Sequence, residues 1–437
     1  MSLKPGVLQT KVSSSLQFEF NRKMASLGPF ENYPHIAVAL SGGADSTAML
    51  YLLKDWSKAY GAKITALVVD HKLRSNSTSE ALLVQKRSQD LGIRCYILTW
   101  NDNKPSGGLQ AAAREARYKL LGNWCLSHGV LHLAVAHNND DQNETVLMRL
   151  KHGSGEFGLA GIAAQRQMGW GRLIRPCLIF SRSSLREYLR KMGVAWIEDP
   201  SNLDTKFERV RVRNELNGGL EHVDFEAPFL AAARMEIDYK TAEFLAGAAM
   251  ISNAGYARID LAALLKLPAC LGQRILGHLC ATIGGASYLP RQAKSLTLLN
   301  YLHAGKFHGR TLHGCHLIEK NGELVIFREW RRCRTQKISG NSFSTWDNRF
   351  SFRLPPMTGV SVGPLGDFYP VIKSKKFRDI SMPRLAIMAL PGFFRGKTLL
   401  AVPHLGFGRS TEYDSLRQLG INFRPLRPVT CAPFSIA

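Results

Sequence analysis

The first part of the chain alternates short apolar runs with amphipathic segments. The apolar runs predict strands at Ile36–Leu40, Ile64–Val69, Ile93–Leu98 and Leu131–Ala136. The segments between and after them predict helices near 46–58, 79–91, 109–128 and 140–152. Strands that alternate with helices pair in parallel and are joined by right-handed crossovers. We therefore predict a parallel, doubly wound α/β sheet, followed by helical and α+β accessory regions.

A chain of 437 residues is longer than one hydrophobic core normally serves, so several domains are expected. The first thirty residues faintly resemble a transit peptide, but a short helix from Ser15 to Met24 explains them better. Asn217-Gly218-Gly219 has the composition of a boundary, and the following residues carry Ala and Leu at helical spacing. The predicted parts are an N-terminal extension (1–30), a nucleotide-binding domain (31–216), a helical domain (217–300) and a basic C-terminal domain (301–437).

Composition excludes several classes of protein. No window approaches the ~18 consecutive apolar residues of a membrane span, so no membrane partner is predicted. The eight cysteines include no Cys-x-x-Cys pair, which is typical of buried thiols rather than of a disulfide framework or a zinc site. These features favour a cytoplasmic protein.

The chain is strongly basic, with 57 Lys and Arg against 34 Asp and Glu, a net charge of +23. Residues 301–437 hold 21 basic and 8 acidic side chains, so +13 of that excess lies there. Such a concentration favours a polyanionic partner whose phosphates it neutralises. The alternative is a generally basic, solvated surface.

The loop Ser41-Gly42-Gly43-Ala44-Asp45-Ser46-Thr47 directly follows the first predicted strand. Glycines let the backbone approach a ligand closely, and the first turn of the next helix leaves N–H groups unpaired, which favours a bound phosphate. A carboxylate beside phosphate implies a divalent cation, so Asp45 points to Mg²⁺. The alternative is an ordinary turn in which Asp45 or Ser46 caps the helix.

Two other matches to nucleotide motifs are rejected. Gly153–Gly158 fits the dinucleotide fingerprint but follows a predicted helix, where that fingerprint requires a strand. Gly392–Thr398 is one residue too short for a Walker A loop.

Polar clusters also follow the second and fourth predicted strands, at Asp70–Arg74 and His137–Asp141. Ligands of parallel sheets bind beyond the carboxyl ends of the strands, so we expect these clusters to meet the Ser41–Asp45 loop at one rim.

Taken together, the motifs resemble the bacterial tRNA(Ile)-lysidine synthetases, which belong to the PP-loop ATP pyrophosphatase superfamily. The resemblance rests on Ser41–Ser46, Val69–Arg74, Ala112–Tyr118, Ala136–Thr145, Glu198–Asn202 and the arginines at 209–213. It is dense over 36–215 and thin afterwards. It implies an ATP-dependent ligase for which tRNA and free L-lysine are substrates, and homodimer formation is compatible with it.

The resemblance also implies residue roles. Ser41, Gly42, Gly43, Asp45 and Ser46 are expected to hold the pyrophosphate and Mg²⁺ of ATP. Arg114 and Arg117, three residues apart on one helix face, are expected to reach the α-phosphate or RNA; the alternative is a solvated pair.

The fourth strand end carries the remaining predicted roles. His137 is expected to carry a proton or contact the adenylate. Asp141 and Glu144, at i, i+3 spacing, are expected to bind the cationic amino acid, while Asp140 caps the helix.

Two other functions stay open from the sequence. A PP-loop enzyme that thiolates tRNA generally needs paired cysteines, which this chain lacks. A non-catalytic RNA-binding protein with a degenerate ATP fold predicts loss of Asp45 or Ser46, and both are present.

Overall fold

The protein is described by a computed structural model over residues 5–102, 104–105, 107–198, 206, 208–217, 227–305, 307–338, 343–374, 382–410 and 413–430. These residues form two compact units. The first contains the residues up to 166 together with 170–236, and the second contains 167–169 and the residues from 237 onward. Among the described residues, none of the helices combines the length and the apolar character that crossing a bilayer requires.

The first unit is built around a six-stranded sheet. Its helices are α1 Pro5–Ser26, α2 Ala44–Tyr60, α3 Ser77–Asp90, α4 Leu109–Ser127, α5 Asn139–Lys151, α6 Glu156–Leu159, α7 Arg182–Lys191, α8 Glu208–Asn217 and the start of α9 Ala227–Ala248. Its strands are β1 His35–Ala39, β2 Lys63–Asp70, β3 Arg94–Thr99, β4 His132–Ala134, β5 Gln165–Met168 and β6 Gly171–Ile174. The predicted strands and helices of this region are confirmed to within a few residues.

The sheet has the strand order β3-β2-β1-β4-β6-β5. The pairs β1–β2, β1–β4, β2–β3 and β4–β6 are all parallel. The prediction of a parallel α/β sheet is therefore confirmed. The chain winds outward from β1 to β3 and then returns to place β4 on the other side of β1. This reversal creates a crevice at the carboxyl ends of β1 and β4, the usual ligand position in such sheets.

Helix α1 is part of the core of this unit. The side chains of Phe20 and Met24 are fully buried against a cluster that includes residues of α2 and α7. The guanidinium of Arg172 on β6 donates to the carbonyl oxygens of Leu27 and Pro29, both at 2.8 Å. The predicted helix from Ser15 to Met24 is thus confirmed, and the segment that follows it is anchored to the sheet.

The polar cluster after β2 stabilises a helix instead of joining the crevice. The Asp70 carboxylate accepts hydrogen bonds from the Lys72 N–H at 2.9 Å, the Ser77 hydroxyl at 2.8 Å and the Thr78 hydroxyl at 2.7 Å. These donors outweigh burial and lower the pKa of Asp70. Asp70 therefore ties β2 to the start of α3, and two of the three predicted clusters meet at the crevice.

The second unit contains small antiparallel sheets and short helices. Besides the end of α9, its helices are α10 Leu261–Leu265, α11 Ala269–Ile283, α12 Gln292–His303, α13 Tyr369–Ser374, α14 Arg384–Met388 and α15 Asp414–Arg417. Its strands are β7 Ala249–Ile251, β8 Tyr256–Asp260, β9 Arg310–Leu312, β10 Cys315–Lys320, β11 Glu323–Arg328, β12 Gln336–Ile338, β13 Phe343–Trp346, β14 Phe350–Arg353, β15 Val360–Pro364, β16 Pro391–Arg395, β17 Thr398–Val402, β18 Phe407–Gly408 and β19 Asn422–Phe423.

These strands form sheets with the orders β7-β8-β11-β10-β9, β12-β15-β16-β17-β18 and β13-β14-β19. Strand β8 pairs with β11, for example Tyr256 with Phe327. Residues on both sides of the expected 300/301 boundary therefore share one sheet, and 217–300 is not purely helical. The tRNA-binding roles of the two regions stay predictions.

The two rejected nucleotide motifs lie in other structures. Gly153–Gly158 lies in the turn that ends α5 and begins α6, and Gly392–Thr398 lies in the hairpin of β16 and β17. Neither presents a glycine loop between a strand and a helix.

Candidate active site

A cavity of about 350 Å³ opens at the carboxyl ends of β1 and β4 within the first unit. It is lined by Ala39, Ser41, Gly43, Ala44, Asp45, Ser46, Arg114, Arg117, Val135, Ala136, His137, Asp141, Arg182, Arg186, Ile197, Glu198, Arg209 and Arg213. Six arginines face three carboxylates in this lining. The cavity is therefore suited to a polyanion such as a nucleoside triphosphate.

The loop between β1 and α2 has its shape fixed by glycine. Gly42 has φ +83°, and a Cβ atom there would lie 2.5 Å from the Val84 side chain. Its carbonyl oxygen accepts a hydrogen bond from the Ile197 N–H at 2.9 Å. At Gly43 an added Cβ would meet its nearest atom only at 3.6 Å. Gly42 thus shapes the turn without lining the cavity, whereas Gly43 leaves the backbone open to a ligand.

Ser46 stabilises this loop from inside. Its hydroxyl lies 3.0 Å from the Ser41 hydroxyl and 3.1 Å from the Gly43 carbonyl oxygen. It also accepts the Ser41 N–H at 3.2 Å. Ser46 is 5% exposed, so its contribution in this structure is to hold the loop ahead of the N-terminus of α2, where backbone N–H groups favour an anion.

Asp45, in the first turn of α2, carries a perturbed carboxylate. Burial is the main cause that raises the pKa of Asp45 to about 6, and the nearby Arg182 opposes it. The Asp45 Oδ1 atom is buried and makes no hydrogen bond within the described residues, while Oδ2 lies 3.7 Å from the Arg182 Nε atom. A buried, unpartnered carboxylate oxygen at a phosphate loop suits Mg²⁺, which prefers one or two protein carboxylates together with substrate phosphates.

His137 follows β4 and is held in one tautomer. The Arg175 Nε–H donates to the His137 Nδ1 atom at 3.3 Å, so the ring proton resides on Nε2. Burial and then the charges of Arg175 and Arg114 hold the pKa of His137 well below 6.5. A neutral imidazole whose Nδ1 already accepts is a hydrogen-bond donor toward the cavity and a poor proton acceptor.

Arg114 and Arg117 reach the cavity from α4, as their spacing predicts. The Arg114 guanidinium also lies 5.2 Å from the ring of Tyr118. Burial and then the Arg114 charge lower the pKa of Arg117. Two adjacent cations raise each other's energy unless an anion lies between them. Both guanidinium groups line the cavity, where a phosphate could bind them, and Arg114 is also exposed to solvent.

Asp141 and Glu144 bind arginines. Glu144 is 1% exposed; its Oε2 atom accepts from Arg209 Nε at 2.6 Å, and its Oε1 atom accepts from Arg213 Nε at 2.7 Å and Arg182 Nη2 at 3.4 Å. Burial alone would raise the pKa of Glu144, but the arginine hydrogen bonds lower it. Glu144 thus lies behind the cavity lining, and Asp141 faces the cavity.

Asp141 also helps to begin α5. Its Oδ1 atom accepts from Arg209 Nη2 at 3.0 Å and from Arg182 Nη2 at 3.4 Å, and its Oδ2 atom accepts the Asn138 N–H at 3.0 Å. The Asn138 side chain accepts the Asp141 N–H at 2.9 Å, which completes a capping box. The expected cap, Asp140, instead accepts the Arg182 N–H of α7 at 2.7 Å, because Asn138 already occupies the N-cap position.

The sequence reasoning did not assign Arg182, Arg186 and Glu198 to the site. Ser181 caps α7 by accepting the Ser184 N–H at 3.1 Å, so Arg182 begins a helix just beyond β6. Because ligands of parallel sheets bind beyond the carboxyl ends of the strands, the position of Arg182 after β6 could have predicted that it belongs to the site. Arg186 lies one turn later on the same face, and its Nη2 atom is 3.4 Å from Glu198 Oε1.

Part of one sequence motif lies outside the described residues. In Glu198–Asn202 only Glu198 is described, and Phe207 is outside as well. The other site residues that the sequence singled out come together in the first unit, with Gly42 and Glu144 behind the cavity lining.

Comparison with known proteins shows the family of this chain. Residues 14–220 match the family model of the PP-loop domain. The tRNA(Ile)-lysidine synthase of Ruegeria pomeroyi is 34% identical over 393 residues, covering 87% of this chain and 91% of that protein. The enzyme of the same name from Mesorhizobium japonicum is 38% identical and covers 77% of this chain and 76% of its own.

Solved structures are more distant. The U34-tRNA thiolase NcsA of Methanococcus maripaludis is 19% identical, with a TM-score of 0.41, covering 49% of this chain and 77% of its own. The sequence identity to the lysidine synthases extends over most of both chains and therefore decides the family of this chain. The chain belongs to the tRNA(Ile)-lysidine synthase family.

Proposed function

We propose that this protein joins free L-lysine to the 2-position of the wobble cytidine of an isoleucine tRNA with a CAU anticodon, at the expense of ATP. The cytidine 2-oxo group attacks the α-phosphate, and pyrophosphate leaves. The lysine ε-amine then displaces AMP at the activated carbon, which gives lysidine. The observation that carries the proposal is the arginine-rich cavity, lined by the phosphate loop and by Asp141, in a member of this family.

ATP binding is assigned to the loop between β1 and α2. Ser41, Gly42, Gly43 and Ser46 form the loop around the pyrophosphate, and the first turn of α2 offers N–H donors. Asp45 is the residue proposed to hold Mg²⁺, since its Oδ1 atom is buried and unpartnered among the described residues. Bound Mg²⁺ would neutralise negative charge on the departing pyrophosphate.

The adenylate is assigned to three hydrogen-bond donors that line the cavity: Arg114, Arg117 and the neutral His137. Arg114 and Arg117 are proposed to pair with the α-phosphate, where charge develops as pyrophosphate leaves. His137 is proposed to contact the adenylate through its Nε2–H group. Because its Nδ1 atom accepts from Arg175, we assign the cytidine or adenylate contact to His137 and do not assign it the role of general base.

Asp141 and Glu144 are proposed to hold the cationic amino acid. They lie one turn apart at the start of α5, next to the phosphate loop. Both already bind arginines, so the approach of lysine requires those arginines to rearrange.

The basic region 301–437 is proposed to neutralise phosphates of the tRNA. A tRNA substrate and free lysine meet in the cytoplasm, and this is the location we propose. Homodimer formation stays a prediction, testable by sedimentation.

The proposal is tested with purified protein, the isoleucine tRNA transcript, ATP and lysine. We expect release of AMP, and lysidine detected by nucleoside mass spectrometry, only when both tRNA and lysine are present. Without lysine, release of pyrophosphate should stop after one turnover. Asp45→Asn should abolish turnover and retain tRNA binding. Asp55→Asn, on the exposed face of α2, is the matched control and should turn over normally.

The other functions give different results in the same assay. A thiolating enzyme would produce a sulfur-containing nucleoside with a sulfur donor and would ignore lysine. A non-catalytic protein would bind tRNA without consuming ATP. Either result would refute the proposal.

A further inference from the structure

The carboxylates assigned to lysine are already neutralised by side chains of the protein itself. Glu144 accepts from Arg209 and Arg213 at 2.6 and 2.7 Å, and Asp141 accepts from Arg209 at 3.0 Å. Both arginines lie on α8, four residues apart, and both line the cavity that contains the phosphate loop. An ammonium group therefore competes with these two guanidinium groups for the same oxygens.

We propose that Arg209 and Arg213 are specificity-determining residues that make lysine binding conditional on a polyphosphate in the cavity. The proposal rests on the assignment of lysine to Asp141 and Glu144. In the ligand-free state the arginines satisfy both carboxylates, and Glu144 is 1% exposed. A phosphate chain entering along the loop offers the arginines a second anion. One or both guanidinium groups then turn from the carboxylates to the phosphates, and the lysine ammonium takes their place.

The movement of an arginine to the phosphates and the binding of lysine to the carboxylates are coupled, because neither step is favourable alone. Removing a guanidinium from Glu144 without a replacement takes away one of the charge-assisted hydrogen bonds that stabilise this buried carboxylate, which is costly. Lysine alone would have to displace an arginine into a cavity whose described lining already holds six arginines against three carboxylates. When polyphosphate and lysine enter together, each cation again has an anion. The two ligands therefore bind with positive cooperativity.

Arg209 and Arg213 are positioned for this exchange. Their side chains are 36% and 24% exposed, so each can turn toward the cavity without unfolding α8. Arg182, 18% exposed, contacts the same carboxylates at 3.4 Å and is anchored at the start of α7. Arg182 can therefore continue to neutralise part of the negative charge of Asp141 and Glu144 while an arginine of α8 moves.

Arg211 provides a matched control on the same helix. It lies between the two arginines in sequence but is exposed, and it donates to the Lys206 carbonyl oxygen at 3.0 Å. Replacing it by glutamine removes the same charge from α8. It leaves the hydrogen bonds of Arg209 and Arg213 to the carboxylates in place.

Equilibrium dialysis of radiolabelled L-lysine tests the proposal. Affinity is measured with and without α,β-methylene ATP and Mg²⁺, an analogue whose bond between the α- and β-phosphates is not cleaved. We expect the analogue to tighten lysine binding about 10- to 100-fold in the wild type, within the usual range of allosteric coupling. By reciprocity, lysine should tighten binding of the analogue by the same factor.

Substitutions in α8 test whether its arginines produce this coupling between lysine and the ATP analogue. In Arg213→Gln, lysine should bind the ligand-free protein more tightly, and the coupling factor should fall toward one. Arg209→Gln is the second variant, used if the first does not fold by circular dichroism. Arg211→Gln should keep the wild-type factor.

A wild-type coupling factor of one, or full coupling in both Arg209→Gln and Arg213→Gln, overturns the proposal. If lysidine still forms in those cases, the proposed function stands and the arginine exchange alone is wrong. If no lysine binds under any condition and no lysidine forms, both are wrong.

Discussion

Replacing Asp45 by asparagine should make the ligand-free protein more stable at neutral pH, although we expect the same change to abolish turnover. Asparagine keeps the shape of the side chain and removes the charge. In the wild type, burial raises the pKa of Asp45 from its usual 3.8 to about 6. The folded protein therefore binds the Asp45 proton more tightly than the unfolded chain does.

The sign and size of the effect follow from linkage. Between about pH 4 and pH 6 the folded state retains the proton that the unfolded state has lost, so stability falls as the pH rises. A difference of about two pKa units corresponds to ~3 kcal/mol at pH 7, where the whole penalty applies. The Asp45 side chain is 27% exposed, and asparagine is itself a buried polar group, so we expect a gain of about 1–3 kcal/mol. The gain should be small near pH 4 and vanish below about pH 3, where Asp45 is protonated in both states.

The assay must follow the unit that contains Asp45. Hydrogen exchange of peptides from β1, measured across a urea titration at several pH values, reports the free energy of opening of that unit. Asp55→Asn is the control and should give no comparable gain, because the Asp55 side chain is exposed. Lower stability of Asp45→Asn at pH 7, or a difference that does not change between pH 4 and pH 7, would refute the reasoning. Adding Mg²⁺ with the ATP analogue should favour the wild type, because the proposed ligand of the cation is the Asp45 carboxylate.

Three further predictions follow from the described contacts. His137→Gln, which keeps an N–H donor, should retain more kcat/KM than His137→Ala, which should lose about 10-fold. Since the pKa of His137 lies well below 6.5, the pH–rate profile of the wild type should contain no titration of His137 between pH 6 and 8. Phe20→Ala should lower the free energy of unfolding by about 3–5 kcal/mol, whereas Phe18→Ala, at a 65% exposed side chain, should change it by less than about 0.5. Replacing the exposed Arg331, Arg334 and Lys337 together by glutamine should make the plot of the logarithm of the tRNA-binding constant against the logarithm of the salt concentration less steep. The slope should decrease by up to about 0.9 for each phosphate that is no longer neutralised, and an unchanged slope would mean that these residues form a solvated surface.

The test of the basic region uses substitutions because deletion of 301–437 would also remove β9, β10 and β11. Strand β11 pairs with β8, so the deletion would expose an edge of the remaining sheet. Weaker tRNA binding could then reflect unfolding as easily as the removal of charge.

The fold of the first unit was predictable because the sequence patterns that indicate it are local. Apolar runs of strand length alternate with helices, and the glycines at 42 and 43 mark the turn that begins α2. The rule that ligands bind at the carboxyl ends of parallel strands is enough to bring Asp45, His137 and Asp141 together from the sequence alone. Their convergence in one cavity follows from the strand order.

What the sequence missed depends on contacts between distant residues. Spacing places Asp141 and Glu144 on one helix face, but it cannot show that Arg209 and Arg213, more than sixty residues later, neutralise them. The tautomer of His137 depends in the same way on Arg175, 38 residues away. In the second unit, β7 and β8 are short, and the surrounding Ala and Leu at helical spacing obscured them.

The anchoring of the N-terminal segment has a consequence for synthesis of the protein. Helix α1 packs on α2 and α7, and the carbonyl oxygen of Leu27 meets Arg172, 145 residues later. At ~5–20 residues per second, roughly 10–40 s pass between translation of α1 and completion of α7. During that interval the ribosome carries an N-terminal helix whose apolar side chains Phe20 and Met24 have only part of their eventual cover. Helix α1 is thus made well before the helix that completes its cover, and its buried apolar face stays partly exposed until α7 is made.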